Sequence, residues 1–234
     1  GLPTWYEVRV TEKGYLGRRG GVDLMVAMNP QTWAQDLKEI EPGGYVFYDS
    51  TKRLPPSKFR DDVNAIGMPL TEICNSAYSD PRERQLFKNI IYLGALAALM
   101  DLEPEAIAEL IGEQYKGKEK LLKPNLNALQ LGLNYAKQFL KNSLGLKAKR
   151  AYAVGDKIFV EGNAAAALGM IYGGATVCAW YPITPSSSLA EAFQTYCSRL
   201  RVDKETGKNK FAVVQAEDEL ASIGIVTGAG WNGA

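Results

Sequence analysis

Two segments carry groups that could act on a bound molecule. YPITPSS (181–187) sets a phenol, a threonine hydroxyl and two serines around two prolines. Pro182 and Pro185 fix φ at about −65° and push Tyr181 and Thr184 toward extended conformations, so the loop is stiff before any ligand arrives. QAEDE (215–219) follows an apolar run and supplies three carboxylates, Glu217, Asp218 and Glu219. Each segment also has a purely structural explanation. Pro185 at a first helical position makes Thr184 an N-cap, and acidic residues are favoured in the first turn of a helix, which accounts for Glu217 and Glu219 alike.

The chemistry open to the chain is narrowed by what it lacks. There is no histidine, which excludes a Ser/His/Asp triad, a Cys/His dyad and a histidine metal site. Cys74, Cys178 and Cys197 match no zinc or iron–sulfur spacing and read as small buried apolar residues, so no metal is assigned to this chain. A formal net charge of +1 spread without long blocks of one sign argues against nucleic acid or a membrane surface as partner. The longest apolar run, IIYLGALAALM (90–100), is about half a bilayer span, and no signal peptide is apparent, so a cytoplasmic protein is expected.

The two segments can meet only if the elements before them are neighbours. ATVCAWY (175–181) reads as a buried strand, PSSSLAEAFQTYCSRL (185–200) as a helix, VDKETGKNK (202–210) as a charged loop, FAVVQA (211–216) as a second buried strand and EDELASIGIVTGAGW (217–231) as a further helix. A β-α-β crossover makes the strands parallel, so Thr184 and Glu217 leave the same carboxyl edge. Adjacent strands would bring them within about 10 Å, at the edge where open α/β sheets bind ligands.

The first half also alternates strand and helix. TWYEVRV (4–10) and VDLMVAMN (22–29) read as strands, TWAQDLKEI (32–40) as a helix stopped by EPGG, and YVFYDS (45–50) as a strand. Helices are expected at 89–102, 104–115 and 124–144, with a basic linker at 145–159 and a small-residue helix at 161–175 ended by Gly173 and Gly174. The expected organisation is a domain over 1–144, a linker over 145–159 and a second α/β domain begun at 160–234, with the chain part of a longer polypeptide.

YPITPSS followed by VVQAEDELASIGIVTGAGWNGA resembles the pyrimidine-binding domain of the 2-oxoacid:ferredoxin oxidoreductases. The segments GLPTWYEVRV, VDLMVAMNP, EIEPGG and YDS resemble that family's gamma domain. The resemblance implies a fused gamma–alpha subunit of the 2-oxoglutarate type, incomplete at both ends: a gamma domain with a mainly parallel sheet, then the start of a thiamine-diphosphate pyrimidine-binding α/β domain. It implies oxidative decarboxylation of a 2-oxo acid with CoA to acyl-CoA, CO2 and reduced ferredoxin, active only with a partner. Glu217 would hydrogen-bond N1′ of the aminopyrimidine and favour the tautomer whose basic nitrogen deprotonates thiazolium C2, with Pro182 beside the cofactor. Thr184 would hold the substrate carboxylate, while Tyr181, Ile183 and Ser186 shape the pocket.

The magnesium–diphosphate site and a [4Fe–4S] cluster are implied in a partner beta subunit, none of the cluster being ligated by this chain. Ala164 in GNAAA stands where family members often carry glutamate, so that segment receives no catalytic role. The residues leave pyruvate and 2-oxoglutarate undivided, since the two share the carboxylate and carbonyl. An assembly module that only bridges subunits is the alternative, and a nucleotide-binding protein is disfavoured because neither a Gly-rich dinucleotide turn nor a Walker loop is visible.

Overall fold

The structure, a computed structural model, describes residues 3–15 and 17–234, so the start of GLPTWYEVRV and Leu16 lie outside the described residues. The chain divides into two compact units, Gly1–Ala151 and Tyr152–Ala234. Each is α/β with a parallel sheet.

In the first unit β1 (Val22–Ala27), α1 (Trp33–Glu39), β2 (Ile40–Asp49) and β3 (Asn64–Met68) build a sheet of order β1-β2-β3. Val46 and Phe47, successive on β2 and so facing opposite sides, are both fully buried, so the central strand is covered on both faces. Val46 packs with Trp33, Leu37 and Ile40 on the α1 side. Phe47 packs with Ile66, Met68, Ile91 and Ala128 on the other, where α3 (Pro81–Met100) and α5 (Glu119–Phe139) lie. These two helices meet at Gly94 and Gly132, where a methyl would overlap the carbonyl oxygens of Leu129 and Ile91 respectively.

Several expectations for this unit are corrected. Residues 4–10 form no strand: Tyr6, Val8 and Val10 are exposed, and the segment is tied down through Trp5, whose Nε1 donates to the buried Asp36 at 2.7 Å. EPGG does not stop an element but lies within β2 as a bulge, with Gly43 at φ 81° and the register slipping between Val22 and Leu24. β3 and α2 (Leu70–Ala77) were hidden because NAIGM is short and mixes Asn and Gly with its apolar residues, whereas Gly67 is needed there by the Tyr48 ring against it. α3 starts at Pro81, capped by Asp80, rather than near 89, and α5 runs Glu119–Phe139 with Pro124 inside it. α4 (Pro104–Gln114) is a helix opened by proline, as its sequence indicates.

The stretch read as a linker is partly fastened down. Gly145 N donates to the Tyr45 hydroxyl at 3.1 Å, Ala148 N to Met100 O at 2.9 Å, and Arg150 pairs with Glu103. The division between units falls after Ala151.

At the carboxyl end of β2, Asp49 accepts from Lys88 Nζ at 2.5 Å and from the hydroxyls of Thr71 and Thr51. Burial pushes its pKa up, but these bonds together outweigh burial and hold it well below the usual carboxylate range. The cluster ties β2 to α2 and α3.

The second unit comprises α6 (Gly162–Tyr172), β4 (Val177–Trp180), α7 (Ser186–Leu200), β5 (Ala212–Gln215) and α8 (Glu219–Trp231). Its core is Ala167, Ile171, Cys178, Ala190, Phe193 and Cys197, where α6 and α7 pack on β4. All three cysteines are buried, as their sequence settings suggest, and burial raises each thiol pKa. β5 is not the buried strand expected: Ala212, Val214 and Gln215 are exposed, because the core lies over β4 and β5 pairs on one side with β4. α8 buries no residue and exposes Leu220, Ile223 and Trp231. Among the described residues, no helix is long and apolar enough to cross a membrane.

Candidate functional site

β4 and β5 are parallel and adjacent, with Val177 opposite Ala212 and Trp180 opposite Gln215. Ala216 N donates to Trp180 O at 2.7 Å and carries the pairing to the strand ends. Tyr181 to Thr184 and Glu217 therefore emerge at one edge. The β-α-β order read from sequence implies this shared edge, and the register sets the strand ends Trp180 and Gln215 side by side.

The loop after β4 is held by backbone and side-chain bonds. Ser186 N and Ser187 N donate to Ile183 O at 2.8 and 3.3 Å, and Ser186 Oγ reaches the same carbonyl at 2.8 Å. These bonds change the role expected of Thr184. The first amides of α7 are already satisfied by the Ile183 carbonyl, Pro185 stands at the N-cap with φ −100°, and no side chain caps the helix. The Thr184–Pro185 peptide is cis. Thr184 is thus exposed in the turn and not a cap, and among the described residues its hydroxyl has no hydrogen-bond partner.

A residue that sequence reasoning passed over secures the far side of this loop. Asn163, in the first turn of α6, donates through Nδ2 to Pro185 O at 2.9 Å and to Ser188 Oγ at 2.7 Å. Its position in GNAAA gave no signal, because the partner segment is distant in sequence and only the packing of α6 beside α7 brings the two together.

The three carboxylates of EDE separate into distinct roles. Asp218 is the N-cap of α8, its side chain accepting from Ala221 N at 2.8 Å. Glu219, read from sequence as a first-turn helix acid, accepts a hydrogen bond from the Tyr181 hydroxyl. That bond lowers the Glu219 pKa and, with desolvation and nearby acids, raises that of Tyr181. Glu217 remains exposed with no partner among the described residues. Of the residues singled out from the sequence, Thr184 and Glu217 are therefore the two whose polar groups are free to meet a ligand. Ile183 is half exposed, Pro182 is exposed, and Ser186 is engaged with the loop's own carbonyls.

This edge is an open shelf. Two cavities lie away from it, one lined by Leu99, Lys137, Lys141 and Lys147 in the first unit, the other by Ile171, Leu200, Arg201 and Lys210 in the second. A carboxylate left without a partner beside a stiff loop suits the aminopyrimidine of a thiamine cofactor, whose ring nitrogen needs a carboxyl partner.

A parallel α/β unit with an uncommitted carboxylate at its carboxyl edge is compatible with cofactor binding, and similarity to known proteins supplies the class. Residues 168–234 match the thiamine-diphosphate-binding model described as pyruvate flavodoxin/ferredoxin oxidoreductase, and residues 1–135 match that of pyruvate ferredoxin/flavodoxin oxidoreductase. The chain belongs to this family. It is similar to subunit alpha of 2-oxoacid:ferredoxin oxidoreductase 2 from Aeropyrum pernix, 27% identical over 100% of this chain and 43% of that one. It is also similar to the 2-oxoglutarate oxidoreductase subunit KorA of Mycobacterium tuberculosis, 26% identical over 98% of this chain and 37% of that one. A solved 2-oxoglutarate:ferredoxin oxidoreductase from Magnetococcus marinus, with 2-oxoglutarate, coenzyme A and succinyl-CoA bound, superposes with a TM-score of 0.72 at 28% identity, over 94% of this chain and 36% of that one. The chain spans less than half the length of these relatives.

Proposed function

We propose that the chain is the gamma–alpha portion of a thiamine-diphosphate-dependent 2-oxoacid:ferredoxin oxidoreductase of the 2-oxoglutarate type. Such an enzyme converts a 2-oxo acid and CoA to acyl-CoA, CO2 and reduced ferredoxin. The observation that carries this reading is the sorting of polar groups at the carboxyl edge. Asp218, Glu219, Tyr181 and Ser186 are engaged within the protein, whereas Thr184 and Glu217, in the segments that follow two adjacent strands, are left uncommitted. The 2-oxoglutarate assignment is supported by the relatives named for that substrate.

Thiamine diphosphate, when bound, supplies the carbon nucleophile that adds to the 2-oxo carbon. Glu217 would share a proton with N1′ of the aminopyrimidine, with Pro182 packed beside that ring, so the absence of histidine from the chain is no obstacle. The Thr184 hydroxyl would donate to the substrate carboxylate and orient the 2-oxo group, while Tyr181, Ile183 and Ser186 line the loop. A beta subunit would complete the open shelf and carry the magnesium–diphosphate site and a [4Fe–4S] cluster, passing electrons to ferredoxin in the cytoplasm.

Glu217→Gln in the complete enzyme tests the reading. It should retain thiamine diphosphate, measured by tryptophan quenching, yet lose cofactor C2 proton exchange and turnover on the order of a hundredfold. Exchange at the wild-type rate would remove Glu217 from this role. Failure of the wild-type complex to bind thiamine diphosphate and magnesium would favour an assembly module instead.

A further inference from the structure

The Tyr181–Glu219 hydrogen bond joins the two halves of the candidate site. Tyr181 is the first residue past β4 and stands three residues before Thr184, on the loop that Pro182 and Pro185 stiffen. Glu219 is the first residue of α8 and stands two residues after Glu217, across a strand-to-helix turn that the Asp218 cap fixes. A bond between the phenol and the carboxylate therefore spans from one functional loop to the other beyond the last backbone pair, Ala216 to Trp180.

We propose that Glu219 is a positioning residue, which through the Tyr181 phenol sets the separation between the Thr184 hydroxyl and the Glu217 carboxylate. This inference rests on the function proposed above and assigns Glu219 a part in it. The geometry supports placement over stability as its role. The bond is exposed, and exposed polar pairs add little to folding free energy, yet it lies where the two loops would otherwise move independently. The opposite end of the first loop has its own strut, Asn163 to Pro185 O and Ser188 Oγ. With a strut at each end and prolines between, the loop has few ways to shift Thr184 relative to the sheet. The bond also commits the phenolic proton to Glu219, which leaves the Thr184 hydroxyl as the donor offered by this loop to a substrate carboxylate.

The test compares Tyr181→Phe, Glu219→Ala, the double variant and Glu219→Gln in the complete enzyme, with Glu217→Gln measured alongside. The expected result is a fall in kcat/KM for the 2-oxo acid on the order of ten- to a hundredfold in Tyr181→Phe and Glu219→Ala, the scale for misplacement of a reacting group. The double variant should be no worse than the poorer single. Glu219→Gln, whose amide oxygen can still accept from the phenol, should recover part of the loss. Melting temperatures should stay at the wild-type value, and amide hydrogen exchange across residues 183–188 should quicken in Glu219→Ala and Tyr181→Phe. Singles that keep wild-type kcat/KM, losses that multiply in the double, or losses that follow a lowered melting temperature would overturn the inference. Any of these alongside an inactive Glu217→Gln would leave the proposed function standing, whereas an active Glu217→Gln would show that the function itself was misread.

Discussion

Replacing Thr184 with alanine separates a ligand-facing hydroxyl from a structural one, and the structure sets different magnitudes for the two. A capping threonine would cost about 1 kcal/mol of stability on truncation. Here α7 is entered through Pro185, and the Ile183 carbonyl already takes the Ser186 and Ser187 amides, so no cap is lost. The hydroxyl is exposed and without a partner among the described residues, so its removal should alter stability by no more than about 0.5 kcal/mol. A hydrogen bond to a charged substrate carboxylate is worth about 1.5–3 kcal/mol, which corresponds to a loss of roughly ten- to a hundredfold in kcat/KM. The assay is steady-state reduction of a viologen by the complete enzyme with a panel of 2-oxo acids, beside calorimetric melting. The loss should be the same for every 2-oxo acid, since all carry the carboxylate, and thiamine diphosphate affinity should not move. Thr184→Ser, which keeps the hydroxyl, should retain most activity. A Thr184→Ala enzyme that melts earlier and keeps its kcat/KM would refute the reasoning and return the residue to a structural role.

Three further outcomes follow from the packing. Gly132→Ala would drive a methyl into the Ile91 carbonyl at the α3–α5 crossing and should destabilise the first unit by about 1–3 kcal/mol or more, read by denaturant unfolding of the full chain. Lys88→Met leaves Asp49 half-buried without its cation and should cost about 3 kcal/mol at neutral pH. Because the folded-state pKa of Asp49 is depressed, its contribution is fully present above the ordinary aspartate value and is lost as pH falls through the folded pKa. The gap between Lys88→Met and wild type should therefore narrow below about pH 4 and stay constant above it, which acid titration of stability would reveal. Asp218→Ala should cost about 1 kcal/mol, and Asp218→Asn much less, because the amide oxygen can still accept from Ala221 N.

The parts of this chain that sequence disclosed were those set by local rules. Proline at the start of α4, the Gly173–Gly174 stop after α6 and the apolar run of β4 each act on their own neighbours, and the β-α-β order then dictates a parallel pair with a shared carboxyl edge. What stayed hidden depends on distant partners. The alternation in TWYEVRV matches a strand, but a strand needs a neighbour to accept its backbone bonds, and the segment instead hangs from Asp36 through Trp5. β3 is legible only once the Tyr48 ring against Gly67 explains a glycine in a strand. Asn163 and Glu219 belong to the same class, since each bonds a residue more than twenty positions away.

The site itself shows why motif spelling and chemical role diverge. In EDE three adjacent acids satisfy the same preference for a helix start, and no local rule ranks them. Folding does so by exhausting partners: the amide of Ala221 claims Asp218 and the phenol of Tyr181 claims Glu219. In YPITPSS the same process runs on the hydroxyls, the Ile183 carbonyl claiming both Ser186 and Ser187, until Thr184 remains. A polar group engaged within the protein is already oriented by its partner and has part of its hydrogen-bonding capacity used, so it is less free to turn toward a ligand than an unengaged one. The two unengaged groups lie in the segments that follow adjacent parallel strands, where the cofactor and substrate of the proposed function would meet both.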